Sequence, residues 1–329
     1  MPKLSLPGLA LAGLVLSLSP SSASQIVHED FASDPGLRGW QTHGEASLFA
    51  WNATGQNLRV TWDSSRTNSY FHRSLGTDLT RHDDSSLAFD LRLSDLAIGT
   101  TPGKEFTFQI ALGFLNGRDA TQPGFLRGTG LDSPNLVEFD YFPDSGFGAT
   151  VSPTIISSNM VFASGFNAPL ALTTNDWFHV TMRYTASDQT LVTTMTRNGT
   201  PFGPIESVTL TNQAFTDFHV DQFAISSFSD FGQDPDWDGS ILAHGEVDNI
   251  ELILPDPPVA VIRGEPVAGH WTAAFTSQTN WVYTLEATQE FASWQTVSAP
   301  AAGTGGVLSL SDTHGLGGRA FYRVLAERP

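Results

Sequence analysis

The chain has 329 residues, 40% of them hydrophobic and 11% aromatic, with 34 acidic against 16 basic side chains and no cysteine. A formal charge of −18 argues against nucleic acid and anionic membranes as partners, because both would repel it. The missing cysteines exclude disulfides, thiolate metal sites and cysteine nucleophiles, so stability must come from core burial and from any bound cations.

In chain order, Lys3, an apolar run over 4–18 and the small residues Ser21, Ser22, Ala23 and Ser24 read as a signal peptide over 1–24. The run is shorter than the roughly 18 apolar residues a membrane span requires, so the expected product is secreted or displayed at the cell surface. From 25 to 254 the pattern is short apolar and alternating runs, at 58–62, 87–93, 106–114, 136–142 and 247–254, separated by Gly, Pro, Asn and Asp. No helical period intervenes, and the expectation is an all-β, two-sheet jelly-roll sandwich, with a closed barrel as the other solution to the edge-strand problem. The segment 177–199, WFHVTMRYTASDQTLVTTMTRNG, carries the sharpest local signal. Phe178, Val180, Met182 and Tyr184 alternate with polar residues, Asp188 and Gln189 turn the chain, and Asn198-Gly199 closes a second strand. Pro255, Pro257 and Pro258 lack backbone donors, which places a linker at 255–264. A small β-sandwich-like module follows at 265–329, with strands expected at 281–287, 307–310 and 321–325.

The hairpin pattern of 177–199 and the closing motif Val247-Asp248-Asn249-Ile250 resemble the laminin G-like members of the concanavalin A-like lectin and glucanase superfamily. Tyr283-Thr284-Leu285-Glu286, then Phe291-Ala292-Ser293-Trp294, then Ala320-Phe321-Tyr322-Arg323-Val324 resemble a small fibronectin-like module found at the C-terminus of many secreted bacterial proteins. These resemblances imply a jelly roll with a spacer or attachment module behind it.

Three groups of residues could carry chemistry. Glu29 shares strand parity with Val27 and Phe31, and Asp248 shares it with Ile250 and Leu252, so both carboxylates are expected to face the core. Buried carboxylates need compensation, and calcium held by Glu29, Asp30 and Asp248, with Asp34 nearby, would supply it. The resemblance adds that related β-sandwich modules often hold a structural calcium between first and last strands. Capping of loop amides is the plainer role for the same residues. Asp234-Pro-Asp236-Trp237-Asp238-Gly239 opens like a calcium loop, but Gly245 stands at position twelve where a bidentate acid belongs. That leaves an acidic surface loop as the alternative for Asp234, Asp236 and Asp238.

In the run 137–142, Val137, Phe139 and Tyr141 fall on one face and Glu138 and Asp140 on the other. Paired carboxylates on one sheet face suit retaining glycoside hydrolysis, and the strand resembles the catalytic strand of laminarinase-type glucanases. Their second glutamate is missing, since Phe142 and Pro143 stand there. Tyr70, Trp237 and Arg66 complete a candidate carbohydrate surface with Glu138 and Asp140. The leading reading is therefore a non-catalytic protein that binds an extracellular polysaccharide or glycoconjugate. The alternatives are a polysaccharide hydrolase or lyase using Glu138 and Asp140, and a purely structural or adhesive surface protein.

Overall fold

The computed structural model describes residues 25–98, 110–123, 125, 134–227, 240–267, 270–313 and 320–328. Regular structure among them is almost wholly extended. In chain order come β1 (Gln25–Glu29), β2 (Trp40–His43), β3 (Phe49–Asn52), β4 (Asn57–Asp63), β5 (Ser69–Leu79), β6 (Ser85–Ile98), β7 (Ile110–Leu115) and β8 (Leu136–Phe142). They are followed by β9 (Thr150–Ile156), β10 (Phe162–Ser164), β11 (Phe178–Thr185), β12 (Thr190–Arg197), β13 (Thr200–Phe202), β14 (Val208–Thr209), β15 (Val220–Ser227) and β16 (Ile241–Leu254). A nine-stranded antiparallel sheet runs β13-β12-β11-β6-β16-β4-β3, with β1 added to β16 and β14 to β12. A seven-stranded sheet runs β10-β9-β8-β7-β15-β5-β2.

Period-two patterning explains the nine-stranded sheet. In β6, Leu87, Phe89, Leu91 and Leu93 are buried while Ala88, Asp90 and Arg92 are not, and Phe178, Val180, Met182 and Tyr184 repeat this in β11. These side chains meet the inner face of the other sheet, where Phe89 packs edge-on to Phe139 at 5.7 Å. At the opposite end Trp40 stacks on Phe71 at 5.0 Å and meets the edge of Phe223 at 5.8 Å. Each such buried ring stabilises by about 1.5–3 kcal/mol relative to exposure. The hairpin of 177–199 forms as expected, with Phe178 opposite Arg197 and Thr185 opposite Thr190.

The central strands of the seven-stranded sheet are different. Every residue of β7 and β9 and all but the last of β8 are buried, so these three strands are enclosed on their outer face as well.

The remaining strands are β17 (Val259–Val267), β18 (His270–Ser277), β19 (Val282–Thr288), β20 (Gln295–Thr296), β21 (Ala301–Ala302), β22 (Val307–Ser311) and β23 (Phe321–Glu327). They make a β17-β18-β22 sheet and a second sheet in which β19 pairs along one side with β23 and along the other with β20 and β21. Phe275, Trp281, Tyr283, Leu285 and Leu310 form a separate buried cluster between them. One expectation needs correction: the linker does not extend over 255–264. Val259 already pairs with Ser277 and Gly264 with Ala273, so only the proline-rich 255–258 is free of the ladder.

Candidate functional site

Strand register gathers most of the expected carbohydrate residues on one surface. Directly opposed residues share a face, and one inward row crosses the seven-stranded sheet as Thr42, Phe71, Ile225, Leu112, Phe139 and Pro153. The flanking rows face outward. The first is Gln41, His72, Ala224, Gly113, Glu138 and Thr154; the second is His43, Tyr70, Ser226, Ala111, Asp140 and Ser152. Tyr70, Glu138 and Asp140 therefore lie on one face, with the tyrosine three strand steps, about 14 Å, from the aspartate.

The floor between them is made of small residues. Ala111, Gly113 and Ala224 sit at the centre, and a Cβ on Gly113 would come within 2.4 Å of the Glu138 Cα and the Val137 carbonyl oxygen. Glu138 and Asp140 are each only 2% exposed. The face opens toward β5, β15 and β2, where Gln41 and Ser74 are exposed and His43, His72 and Gln222 half-exposed. There the His72 Nδ1 and Gln222 Oε1 lie 3.2 Å apart. His43 stacks on Tyr70 at 5.6 Å, and Phe125 meets the other side of the tyrosine ring edge-on at 5.9 Å.

Two expectations change here. Tyr70 is not an open stacking platform, because His43 and Phe125 enclose its ring and leave it 2% exposed. Arg66 does not join this face. It lies in the β4–β5 turn, where its guanidinium pairs with Asp63 at 3.4 Å and Glu45 at 3.9 Å. Trp237 and the Asp234, Asp236 and Asp238 run lie outside the described residues. His43, His72 and Gln222 join the site without any motif in the sequence marking them. Period-two parity from Tyr70 would have found His72, whereas His43 and Gln222 enter through register alone.

The candidate cation site also rearranges. Glu29 is 1% exposed, as its parity required, but its compensation is already built in. Arg38 pairs with one carboxylate oxygen, which also accepts the Phe31 N–H at 2.7 Å, and the Trp40 indole N–H donates to the other at 2.8 Å. Those bonds satisfy the buried charge without a metal, so Glu29 does not fit as a ligand. Asp248 misses the core for a different reason. Asn249 adopts φ 49° in a β-bulge between Asp248 and Glu251, so that Val247 and Ile250 are both buried and Asp248 turns to the outer side.

There Asp248 lies near Asp90, Asp30 and Glu246. Burial first, and these charges after it, push its carboxyl up to about 6, against the opposing hydrogen bond from the Asn249 N–H. Asp90 accepts hydrogen bonds from His179 Nδ1 at 2.7 Å and Asn249 Nδ2 at 2.8 Å. Asp30 is held below the usual carboxylate range, chiefly by the Ala32 N–H. Among the described residues, no three His, Asp or Glu side chains gather at metal-ligand spacing. Asp30 and Asp248 are what remains of the expected ligand set.

No protein-family model matches the chain, and no curated protein matches it. Solved structures do. Lectin II from Ulex europaeus is similar at 10% identity and a TM-score of 0.46, over 70% of this chain and 98% of that one. The legume lectin-like domain from Entamoeba histolytica is similar at 9% identity and a TM-score of 0.43, over 69% and 95%. An endo-β-1,4-glucuronan lyase from Trichoderma reesei is similar at 15% identity and a TM-score of 0.38, over 70% and 98%. Among the described residues, no helix is long and apolar enough to cross a membrane.

Proposed function

We propose that this chain is a secreted, non-catalytic protein that binds an extracellular polysaccharide or glycoconjugate on the outer face of the seven-stranded sheet. The observation that carries this reading is the alignment of Gln41, His43, His72, Ser74 and Gln222 at the open side of a face whose centre is made of small residues. Planar hydrogen-bonding side chains beside a ring stack are what sugar hydroxyls and pyranose faces require. A structural calcium held by Asp30 and Asp248 belongs to the same proposal, because a cation would relieve the crowding of carboxylates around Asp248.

The test is retention of the full chain on a panel of immobilised polysaccharides, with calcium and again with chelator, while released chain ends are assayed. Retention without release is expected. His72→Ala and Gln222→Ala should each weaken it by about tenfold, the loss of one or two hydrogen bonds, with unchanged thermal midpoints. Retention indifferent to both substitutions would remove the site.

A second reading is a hydrolase or lyase. It is favoured by the placement of Glu138 and Asp140 two residues apart on one face, about 6.6 Å between Cα atoms, near the carboxylate spacings that glycosidases use. Release of reducing or unsaturated ends, abolished by Glu138→Gln, would establish it. Neither retention nor release would leave the structural or adhesive reading.

A further inference from the structure

The cluster between the two small sheets is incompletely covered along one side. In β19 every residue after Val282 is buried, whereas β23, paired with it throughout, has no buried residue. Tyr322, Val324 and Ala326 face the cluster and reach it only in part. Beside them lies a groove of about 620 Å³ whose walls are β17 at Ile262, Arg263 and Gly264 and β23 from Phe321 to Val324, and whose floor includes Trp271, Ala273 and Leu285. Among the described residues, β17 pairs only with β18 and β23 only with β19. Both walls are therefore edge strands of their sheets, and an edge strand is a template for another strand.

The two edges are not equivalent. β17 carries a bulge near Val261, the charges Arg263 and Glu265, and Pro266, which are features that discourage pairing. β23, FYRVLAE, has no proline or bulge and one charge before its final residue. Charge repulsion is also weak here, because residues 259–329 hold 5 acidic and 4 basic side chains while the whole chain carries −18.

We propose that β23 is the self-association edge of this protein, pairing antiparallel with β23 of a second copy about a two-fold axis at Val324. The sequence of β23 is complementary to itself in this register. On the cluster side Tyr322 faces Ala326 of the second copy and Val324 faces Val324, so a large ring meets a small residue and the partly covered apolar row is closed. On the other side Arg323 lies opposite Leu325 and diagonal to Glu327, within reach of long side chains. Arg323 already uses Nε to bind Glu286 at 2.7 Å and stacks over Trp294 at 4.3 Å. Both contacts hold its guanidinium on that outer face. The contact is isologous, as closed two-fold dimers require, and it extends one sheet continuously through both copies.

The test uses sedimentation of the full chain across a range of concentrations, with three variants. Leu325→Lys puts a like charge opposite Arg323 twice per dimer and should weaken association by about tenfold. Leu325→Glu, equally polar and equally placed, should preserve or strengthen it. A merely structural role for Leu325 would make the two alike. Val324→Cys places two thiols at the axis with Cα atoms about 4.5–5.5 Å apart, within disulfide range. The chain has no other cysteine, so oxidation should yield a covalent dimer, and Arg263→Cys on β17 should not. A monomer at every concentration overturns the proposal. So does a dimer indifferent to the Lys and Glu exchange, or equal cross-linking through position 263.

Discussion

At the scale of single residues, the carboxylates show how burial and compensation decide what a charge is for. Glu29 is held by Arg38, Trp40 and the Phe31 amide, so Arg38→Ala leaves a buried, uncompensated anion and should destabilise by about 3 kcal/mol. Urea titration measures that loss. Asp248 behaves in the opposite sense. Its carboxyl titrates at about 6 when folded against a model value of 3.8, so the folded chain binds this proton more tightly than the unfolded one. Stability from this group is then highest below pH 4, falls as pH rises from about 4 to 6, and is flat above. The full shift would amount to about 3 kcal/mol, which partial exposure reduces to about 1 kcal/mol. Asp248→Asn should accordingly raise the thermal midpoint at pH 7 by about 3 °C in chelator. If calcium is held there, the same variant loses the stabilisation that calcium gives the parent chain, and a melt with and without the ion separates the two. The burial of Glu29 is legible from its parity with Val27 and Phe31, but Arg38 and Trp40 lie nine and eleven residues away, in the turn after β1 and at the start of β2, where no periodicity predicts them.

At the scale of elements, legibility followed the regularity of the backbone. β8 and the hairpin of β11 and β12 are legible because alternation is unbroken, and the next turn, from β12 to β13, is legible because Asn198-Gly199 supplies the two positive φ values, 50° and 79°, that a tight hairpin requires. Gly199→Ala has open space for its Cβ yet strains that backbone, and about 1 kcal/mol of stability should be lost. Chemical denaturation would register it as a shifted midpoint at constant slope. Asp248 departs from the face its parity predicts because one bulge residue reverses that parity, and Asn249, which tolerates the left-handed region, is the only hint in the sequence. Tyr70 alternates correctly within β5, but what encloses it comes from His43 and Phe125, which no local pattern could bring there. The apolar run from Val259 to Ile262 enters a strand directly after three prolines, because their missing donors interrupt the ladder only over 255–258.

At the scale of the whole molecule, Arg328 bridges the second pair of sheets to the sandwich. Arg328 lies over Trp281 at 4.2 Å, pairs with Asp83 and donates to the Asp78 carbonyl at 3.3 Å. It forms part of the lining of a cavity of about 780 Å³ together with Asp84, Arg183, Asp256 and Asn280. With its side chain 8% exposed, this pair is costly to break, and Arg328→Ala should loosen the two parts. The expected readout is a larger radius of gyration in solution scattering, with secondary structure unchanged. The same end of the sandwich, where Leu254 lines that cavity, has a consequence for its handling. Gln25 lies opposite Leu254 in the β1–β16 ladder, so the point where the chain enters the sandwich and the point where it leaves are neighbours, about 5 Å apart. A short bridge could join those two points and new ends could be opened at an exposed turn such as Ser187-Asp188, giving a circular permutant with the same strand neighbours. The same proximity would let the sandwich be spliced into a surface loop of an unrelated protein without forcing the loop's two stems apart.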